Sequence, residues 1–411
     1  MLKSRENRVE GERICPLCRR TSFARVCAIH GEASKRHLAT AFCYGCNLGP
    51  TQTARSLRGL DRRHLAFINQ RHVTEEKLDE AIVTVINAYA RCGLQKLWGL
   101  GSSASADGTQ WEIYPRNLLA EYHIRYGGYG GIGYYVIADS YIALFSRFIT
   151  CGAWEGHHIL DFVTENPSDV QPETVHADTH GQSESIFGLA YLLGIQLMPR
   201  IRNWQHLHFY RPRRESRYAH IEALFTAQID WDLIETLLPD MLRVAISVKL
   251  GRVAPSTILR RLGTYSRKNR LYFAFRELGR VVRTMFLLRY LSDPELRRMI
   301  HTATNKSEAF NKCAQWVLFG GDGVMTEGVR DEQRKIIKYN HLVANLLIFH
   351  TLVTMSRALQ CLADDGYAMD MEALATLSPY QTEHINRFGT YILNLQRMPL
   401  PLDLEFWKPV Q

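Results

Sequence analysis

Asp107, Asp178 and Glu308 are the residues of this 411-residue sequence whose types and settings best suit metal-assisted chemistry. Asp107 ends a Gly/Ser-rich passage, Asp178 closes the run Glu173-Thr-Val-His-Ala, and Glu308 follows Thr304-Asn-Lys-Ser. Carboxylates are hard oxygen donors that suit magnesium. Two such ions, roughly 4 Å apart, clamp the attacking and leaving oxygens of a phosphodiester displacement. That arrangement needs ligands converging from different elements. The chain has 41 Asp and Glu, most of which must be solvated surface charges, so residue type alone selects nothing. Asp107 and Asp178 stand out because their neighbours are small or uncharged and offer no evident surface ion pair.

Asp139 competes with Asp107 for the first place, lying in Ala138-Asp-Ser-Tyr-Ile-Ala-Leu-Phe-Ser146. Asp is favoured in turns, and the two flanking β-rich runs suit a hairpin, so turn chemistry assigns Asp139 a structural role and favours Asp107. His176 and His180 flank Asp178 and suit either a phosphate contact or a structural hydrogen bond. Cys15, Cys18, Cys27 and His30 have the form CxxC, eight residues, CxxH, a spacing compatible with tetrahedral zinc. Reduced thiols in an appendage fit the same residues and are the preferred reading. Cys43 and Cys46 read as core packing.

These side chains need elements to position them. Residues 1–35 read as a Cys-rich appendage and 36–98 as a helical unit. Residues 99–202 follow the order strand, hairpin, helix, strand, helix, strand. Trp111 to Tyr114 is the first strand, Gly127 to Gly133 a sharp turn, and Glu173 to Asp178 a strand that stops at its acid. Such an order predicts an α/β fold in which helices pack on a mixed sheet, as in ribonuclease-H-like proteins, with the chemistry at the carboxyl ends of central strands. Residues 203–300 read as a mostly helical basic insertion. Residues 301–411 begin with a helix whose first turns carry Glu308 and continue as helices to about Asp364, interrupted at Gly320 to Gly323.

Charge is concentrated in the insertion. The formal net charge is +9, yet Arg200 to Ile300 holds twenty Lys and Arg against nine Asp and Glu, an excess of 11 that leaves −2 elsewhere. A polyanion bound by this segment follows. Arg200, Arg202, Arg211, Arg213 and Arg214 form one cluster; Arg260, Arg261, Arg267, Lys268 and Arg270 form another, with Tyr265 and Tyr272 nearby for stacking. With 46% hydrophobic and 22% charged residues, wholesale disorder is excluded. The charged start lacks a signal-peptide core. Leu342 to Met355, containing Asn345 and His350, is too short to span a bilayer and reads as a core helix, so a membrane is not expected. Nine cysteines without an export signal imply reduced thiols and a cytoplasmic location.

Six stretches together resemble transposases of the Tn-three family, which are DDE-type and replicative. They are Gly45-Cys-Asn-Leu-Gly-Pro50, Trp98-Gly-Leu-Gly-Ser-Ser-Ala-Ser-Ala-Asp-Gly108, Tyr134 to Ser146, His176-Ala-Asp-Thr-His-Gly-Gln-Ser183, Leu197-Met-Pro-Arg-Ile-Arg-Asn203 and Asn305-Lys-Ser-Glu-Ala-Phe310. The resemblance covers about residues 38–390 and does not reach the Cys15 set. It implies a ribonuclease-H-like core with a helical insertion before the third acid, and a catalytic triad of Asp107, Asp178 and Glu308 binding two magnesium ions. It also implies DNA as partner, a homodimer on DNA, and 3′-end cleavage followed by attack of the freed 3′ hydroxyl on target DNA. Members of the family are longer and carry N-terminal domains that recognise terminal repeats. A shortened, non-catalytic DNA-binding remnant is therefore the alternative, and a simple metal-dependent nuclease a third reading.

Overall fold

The computed structural model describes residues 31–393, apart from 58, 119, 125–126 and 265–268. Cys15, Cys18, Cys27 and His30 lie outside the described residues, as do Arg267 and Lys268. The stretch read as helical holds α1 (Gly31–Gly45), α2 (Gly49–Ser56), α3 (Arg62–His72) and α4 (Glu75–Ala90). Side-chain caps start two of these: Asp61 accepts from the Arg63 N–H, and Thr74 accepts from the Lys77 N–H. Cys43 and Cys46 are buried, and burial pushes each thiol up to about 12, as suits side chains used for packing.

A mixed sheet follows. Strand β1 (Ser103–Glu112) lies at its centre, antiparallel to β3 (Gly128–Ala138) on one side and parallel to β5 (Thr174–Ala177) on the other. The free edge of β3 takes β4 (Ala143–Thr150) and, at its beginning, the short β2 (Glu121–His123). Strand β6 (Gln196–Pro199) pairs parallel with β5 and closes the other side. Helices α5 (Phe162–Glu165) and α6 (Glu184–Leu192) connect the parallel part, the latter ending at Gly194 with φ of +79°. The protein is thus of the expected α/β class, a ribonuclease-H-like mixed sheet with helices packed on it.

Two strand boundaries differ from the sequence reading. The small residues before Trp111 are not a lead-in: β1 already begins at Ser103, so Asp107 sits within the strand. Ala104 and Ala106 are each 1% exposed, because β3, β5 and a later helix all press on this strand and leave no room for larger groups. Of the glycines expected in a turn before Tyr134, Gly127 does stand in one, with φ of +69°, while Gly128 to Gly133 belong to β3. A Cβ at Gly133 would lie 2.1 Å from Trp111 Nε1, so glycine there admits the indole.

The basic segment contains more than helices. Strands β7 (Phe209–Arg211) and β8 (Phe225–Gln228) pair in parallel before α7 (Trp231–Lys249), α8 (Pro255–Thr264) and α9 (Arg270–Ser292). The helix carrying Glu308 is also longer than expected. Helix α10 runs Pro294–Val317, with Asp293 accepting from the Leu296 N–H and proline in the first turn. That cap, and not Thr304, starts the helix. Thr304 Oγ1 donates instead to the carbonyls of His301 and Ile300, a mid-helix use of threonine, so Glu308 stands at mid-helix.

After Gly320–Gly323 the chain forms α11 (Arg330–Asp364) and α12 (Met371–Thr376). Helix α11 is longer than the apolar run within it; by length and composition alone it would cross a membrane, and half of its most apolar window is buried in this fold. Its polar residues explain that burial. His341 bonds to Ser146 Oγ and the Ala143 carbonyl, both at 2.9 Å, while Asn345 donates to the Ala143 carbonyl and accepts from the Ala143 N–H. Burial pushes the His341 ring down to about 3, so it remains a neutral fastener between α11 and the start of β4.

Candidate active site

Helix α10 lies along β1, and three polar contacts set their register. Ser307 Oγ is 3.0 Å from Ser105 Oγ, Asn311 Nδ2 donates to Asp107 Oδ2 at 2.9 Å, and Gln315 Nε2 donates to Thr109 Oγ1 at 2.9 Å. Two strand residues advance roughly 6.6 Å and four helix residues roughly 6.0 Å, so residues two apart on one element meet residues four apart on the other. Glu308, one position beyond Ser307, turns about 100° away from that seam and is exposed at its edge.

Asp178 arrives from β5, the parallel neighbour of β1, where Ala177 pairs with Ala106. Immediately past the strand it accepts from the His180 N–H at 2.9 Å and caps the short turn Thr179–Gln182. Asp107, Asp178 and Glu308, 71 and 130 residues apart in sequence, thereby line one cleft of about 200 Å³ together with Arg200, Arg202 and Thr304.

The electrostatics of this cleft are strained. Burial, and then the negative charges of Asp178, Glu155 and Glu308, raise the Asp107 carboxyl to about 8, against a partly offsetting hydrogen bond from the Gly108 backbone. Asn311, which holds Asp107, is 6% exposed, and its Oδ1 is buried without a hydrogen-bond partner. Among the described residues no three His, Cys, Asp or Glu side chains are already closed into a cation-holding group. The donor set nevertheless fits a hard divalent cation. Its oxygens are all carboxylate, their mutual repulsion would be relieved by positive charge, and the orphaned amide oxygen is an acceptor suited to a coordinated water.

Asp139 stands elsewhere. Its Oδ1 accepts from the Gly101 N–H at 2.8 Å and its Oδ2 from the Ser103 N–H and hydroxyl, tying the approach to β1 to the turn after β3. It faces a separate cavity of about 240 Å³, beside Trp98, His176 and Lys306. His176 is fully buried, its Nδ1 lies 3.3 Å from the Met198 carbonyl, and burial pushes it down to about 4. The cleft therefore does not include His176, whereas the His180 backbone holds Asp178.

Of the basic residues, Arg200 and Arg202 come to the cleft. Arg211 pairs with Glu222 at 2.6 Å. Arg213, Arg214, Arg261 and Arg270 are exposed away from it, and Arg260 borders a different cavity with Arg147, Arg330, Arg334 and Lys338. Sequence reasoning missed two residues here, Asn311 and Glu155. Asn311 had a signal, being four residues after Ser307 on one helical face; Glu155 had only the glycine at 108 that makes room for it.

Residues 27–391 match the family model described as the Tn3 transposase DDE domain. The chain is 30% identical over 362 residues to the transposase for transposon Tn1546 of Enterococcus faecium, covering 88% of this chain and 36% of that protein. It is 32% identical over 370 residues to the transposase for transposon Tn501 of Pseudomonas aeruginosa, covering 89% and 37%. The transposase for transposon Tn21 of Escherichia coli is 32% identical over 357 residues, covering 86% and 36%. The chain thus spans little more than a third of the length of these curated relatives. The matched region contains all three clefted acids, β1, β5 and α10, and the chain belongs to the family of Tn3 transposase DDE domains.

Proposed function

We propose that this chain is the catalytic portion of a DNA transposase, performing metal-dependent 3′-end cleavage and strand transfer in replicative transposition. The observation that carries this reading is the convergence of Asp107, Asp178 and Glu308, from a central strand, its parallel neighbour and a helix, on one cleft beside two arginines. In this reading the three carboxylates hold magnesium ions, which when bound supply positive charge beside the attacking and leaving oxygens of the phosphodiester. Arg200 and Arg202 hold the phosphate at the cleft. Asn311 fixes one oxygen of Asp107, and the His180 N–H fixes Asp178, so the acids keep their places while a strand end is exchanged. Arg213, Arg214, Arg260, Arg261, Arg267, Lys268 and Arg270 neutralise backbone phosphates of the transposon end and target. Two copies acting on paired ends, as a homodimer on DNA, fit the chemistry of joining both ends to one target.

The test is a nicking and strand-joining reaction on a DNA bearing a transposon end, with magnesium. The wild-type chain is expected to cleave and join, and Asp178→Ala to bind the DNA and do neither. Binding without reaction by the wild type identifies a non-catalytic remnant, and cleavage without joining identifies a nuclease; either result overturns the proposal.

A further inference from the structure

Helix α7 carries two apolar faces, and the fold uses one of them. Ile234, Met241, Ala245 and Val248 are buried, where α7 packs on α9 and α6. Leu238, Leu242, Ile246 and, at the C-terminal cap, Leu250 follow one another at intervals of four residues and are 38 to 68% exposed. Single exposed aliphatic side chains are ordinary on a protein surface. Four at this spacing form a continuous ridge roughly 18 Å long, of the i±4 kind by which helices most often pack on one another. The internal packing of α7 leaves this ridge in solvent.

The charges beside the ridge point to what covers it. Seven residues make about two helical turns, so Glu235, Leu242 and Lys249 share one face, and both charged residues are exposed. Charges further out keep the same polarity: Asp230 and Asp232 precede Glu235, and Arg252 follows Lys249. A twofold axis at Leu242 turns that polarity into self-complementarity. In an antiparallel pair of α7 helices about this axis, Leu242 meets Leu242, Leu238 meets Ile246, and Glu235 of each copy meets Lys249 of the other. A parallel pair would set Glu235 against Glu235 and Lys249 against Lys249, which is repulsive.

We propose that α7 is the surface through which two copies of this chain associate, antiparallel about Leu242. The contact needs neither DNA nor the acid cleft, so it stands apart from the catalytic reading. One helix pair buries less than a standard interface, and the association is accordingly weak, with a dissociation constant on the order of micromolar.

The test is sedimentation velocity of the full chain across the micromolar range, in EDTA and without DNA. The wild type is expected to pass from monomer to dimer as concentration rises. Leu242→Asp is expected to weaken the association roughly tenfold or more, since it places two carboxylates at the centre of the contact. Glu235→Lys and Lys249→Glu are each expected to weaken it roughly threefold or more, and the double variant, which reverses both charges, to restore it. Glu295→Lys, on the exposed start of α10, should leave it unchanged. All these side chains are exposed, so melting temperatures at concentrations where the wild type is monomeric should match, which separates lost pairing from lost folding. A monomer at every concentration overturns the proposal. So does a dimer that Leu242→Asp leaves intact, or a double variant weaker than either single one. Cleavage of an end-bearing DNA is read separately: a chain that pairs through α7 and does not cleave refutes the catalytic reading alone, and one that cleaves without pairing refutes this contact alone.

Discussion

Asn311 on α10 donates its side-chain amide to Asp107 on β1 across 2.9 Å, joining two residues 204 positions apart. The bond is flanked by the Ser105–Ser307 and Thr109–Gln315 contacts, so the amide is a middle rung whose neighbours keep the helix in place without it. Asn311→Ala is therefore expected to leave α10 docked and DNA affinity near wild type, while releasing one oxygen of Asp107. A lost hydrogen bond to a charged group is worth about 1.5–3 kcal/mol, which corresponds to a fall in cleavage rate of roughly ten- to a hundredfold. Single-turnover cleavage with saturating DNA measures it; an unchanged rate removes Asn311 from the site.

The raised Asp107 carboxyl makes the metal-free protein sensitive to pH in a defined direction. In the unfolded chain this group loses its proton near 3.9, whereas in the fold it holds the proton up to about 8. Between those values the folded state binds more protons, so stability falls as pH rises through the window. In EDTA the melting temperature is expected to drop from pH 5 to pH 8, and Asp107→Asn to flatten much of that drop and to melt higher at pH 8. Magnesium is expected to raise the melting temperature of the wild type at pH 8 and to do little for Asp107→Asn. Flat pH dependence in EDTA would contradict the assignment.

Much of the framework was legible because it is written in local chemistry. The strand that stops at Asp178 and the break at Gly320 to Gly323 follow from β-branched residues and glycine punctuation, and the structure places both close to their expected positions. Legibility failed where distant neighbours decide. Ser103 to Gly108 carries little intrinsic strand preference, yet it forms the central strand because only small side chains fit between β3, β5 and α10. The start of α10 was misplaced because Thr304 and Glu308 imitate a helix cap, while the working cap at Asp293 and Pro294 lies eleven residues earlier. Glu155 was invisible because its significance depends on a missing side chain 47 positions away.

Asp139 and Asp107 are expected to fail differently when replaced by alanine. Asp139 accepts two backbone N–H bonds and one hydroxyl bond that hold Gly101 and Ser103 to the turn after β3. Its loss leaves those donors short of partners and should cost about 2–4 kcal/mol of stability. Any loss of cleavage should then track the folded fraction and recover on cooling. Asp107→Ala should retain or gain stability and lose cleavage at every temperature. An Asp139→Ala protein that melts like wild type and is inactive would transfer the first catalytic place to Asp139.

Arg200 and Arg202 share the cleft with the acids, and the phosphates that the proposed function assigns to them can be counted by salt. Each phosphate neutralised on duplex DNA contributes about 0.9 to the slope of log affinity against log salt concentration. Arg200→Ala and Arg202→Ala are each expected to lower that slope by about one unit, and the double variant by about two, in EDTA where no cleavage competes. Arg243→Ala is the control, since this exposed residue pairs with Asp240 on the surface of α7 at 2.7 Å and belongs to neither basic cluster. Its slope should match the wild type. If the cleft arginines leave the slope unchanged while Arg213→Ala or Arg270→Ala lowers it, phosphate is held on the exposed surface of the basic segment, and the cleft arginines serve the acids alone.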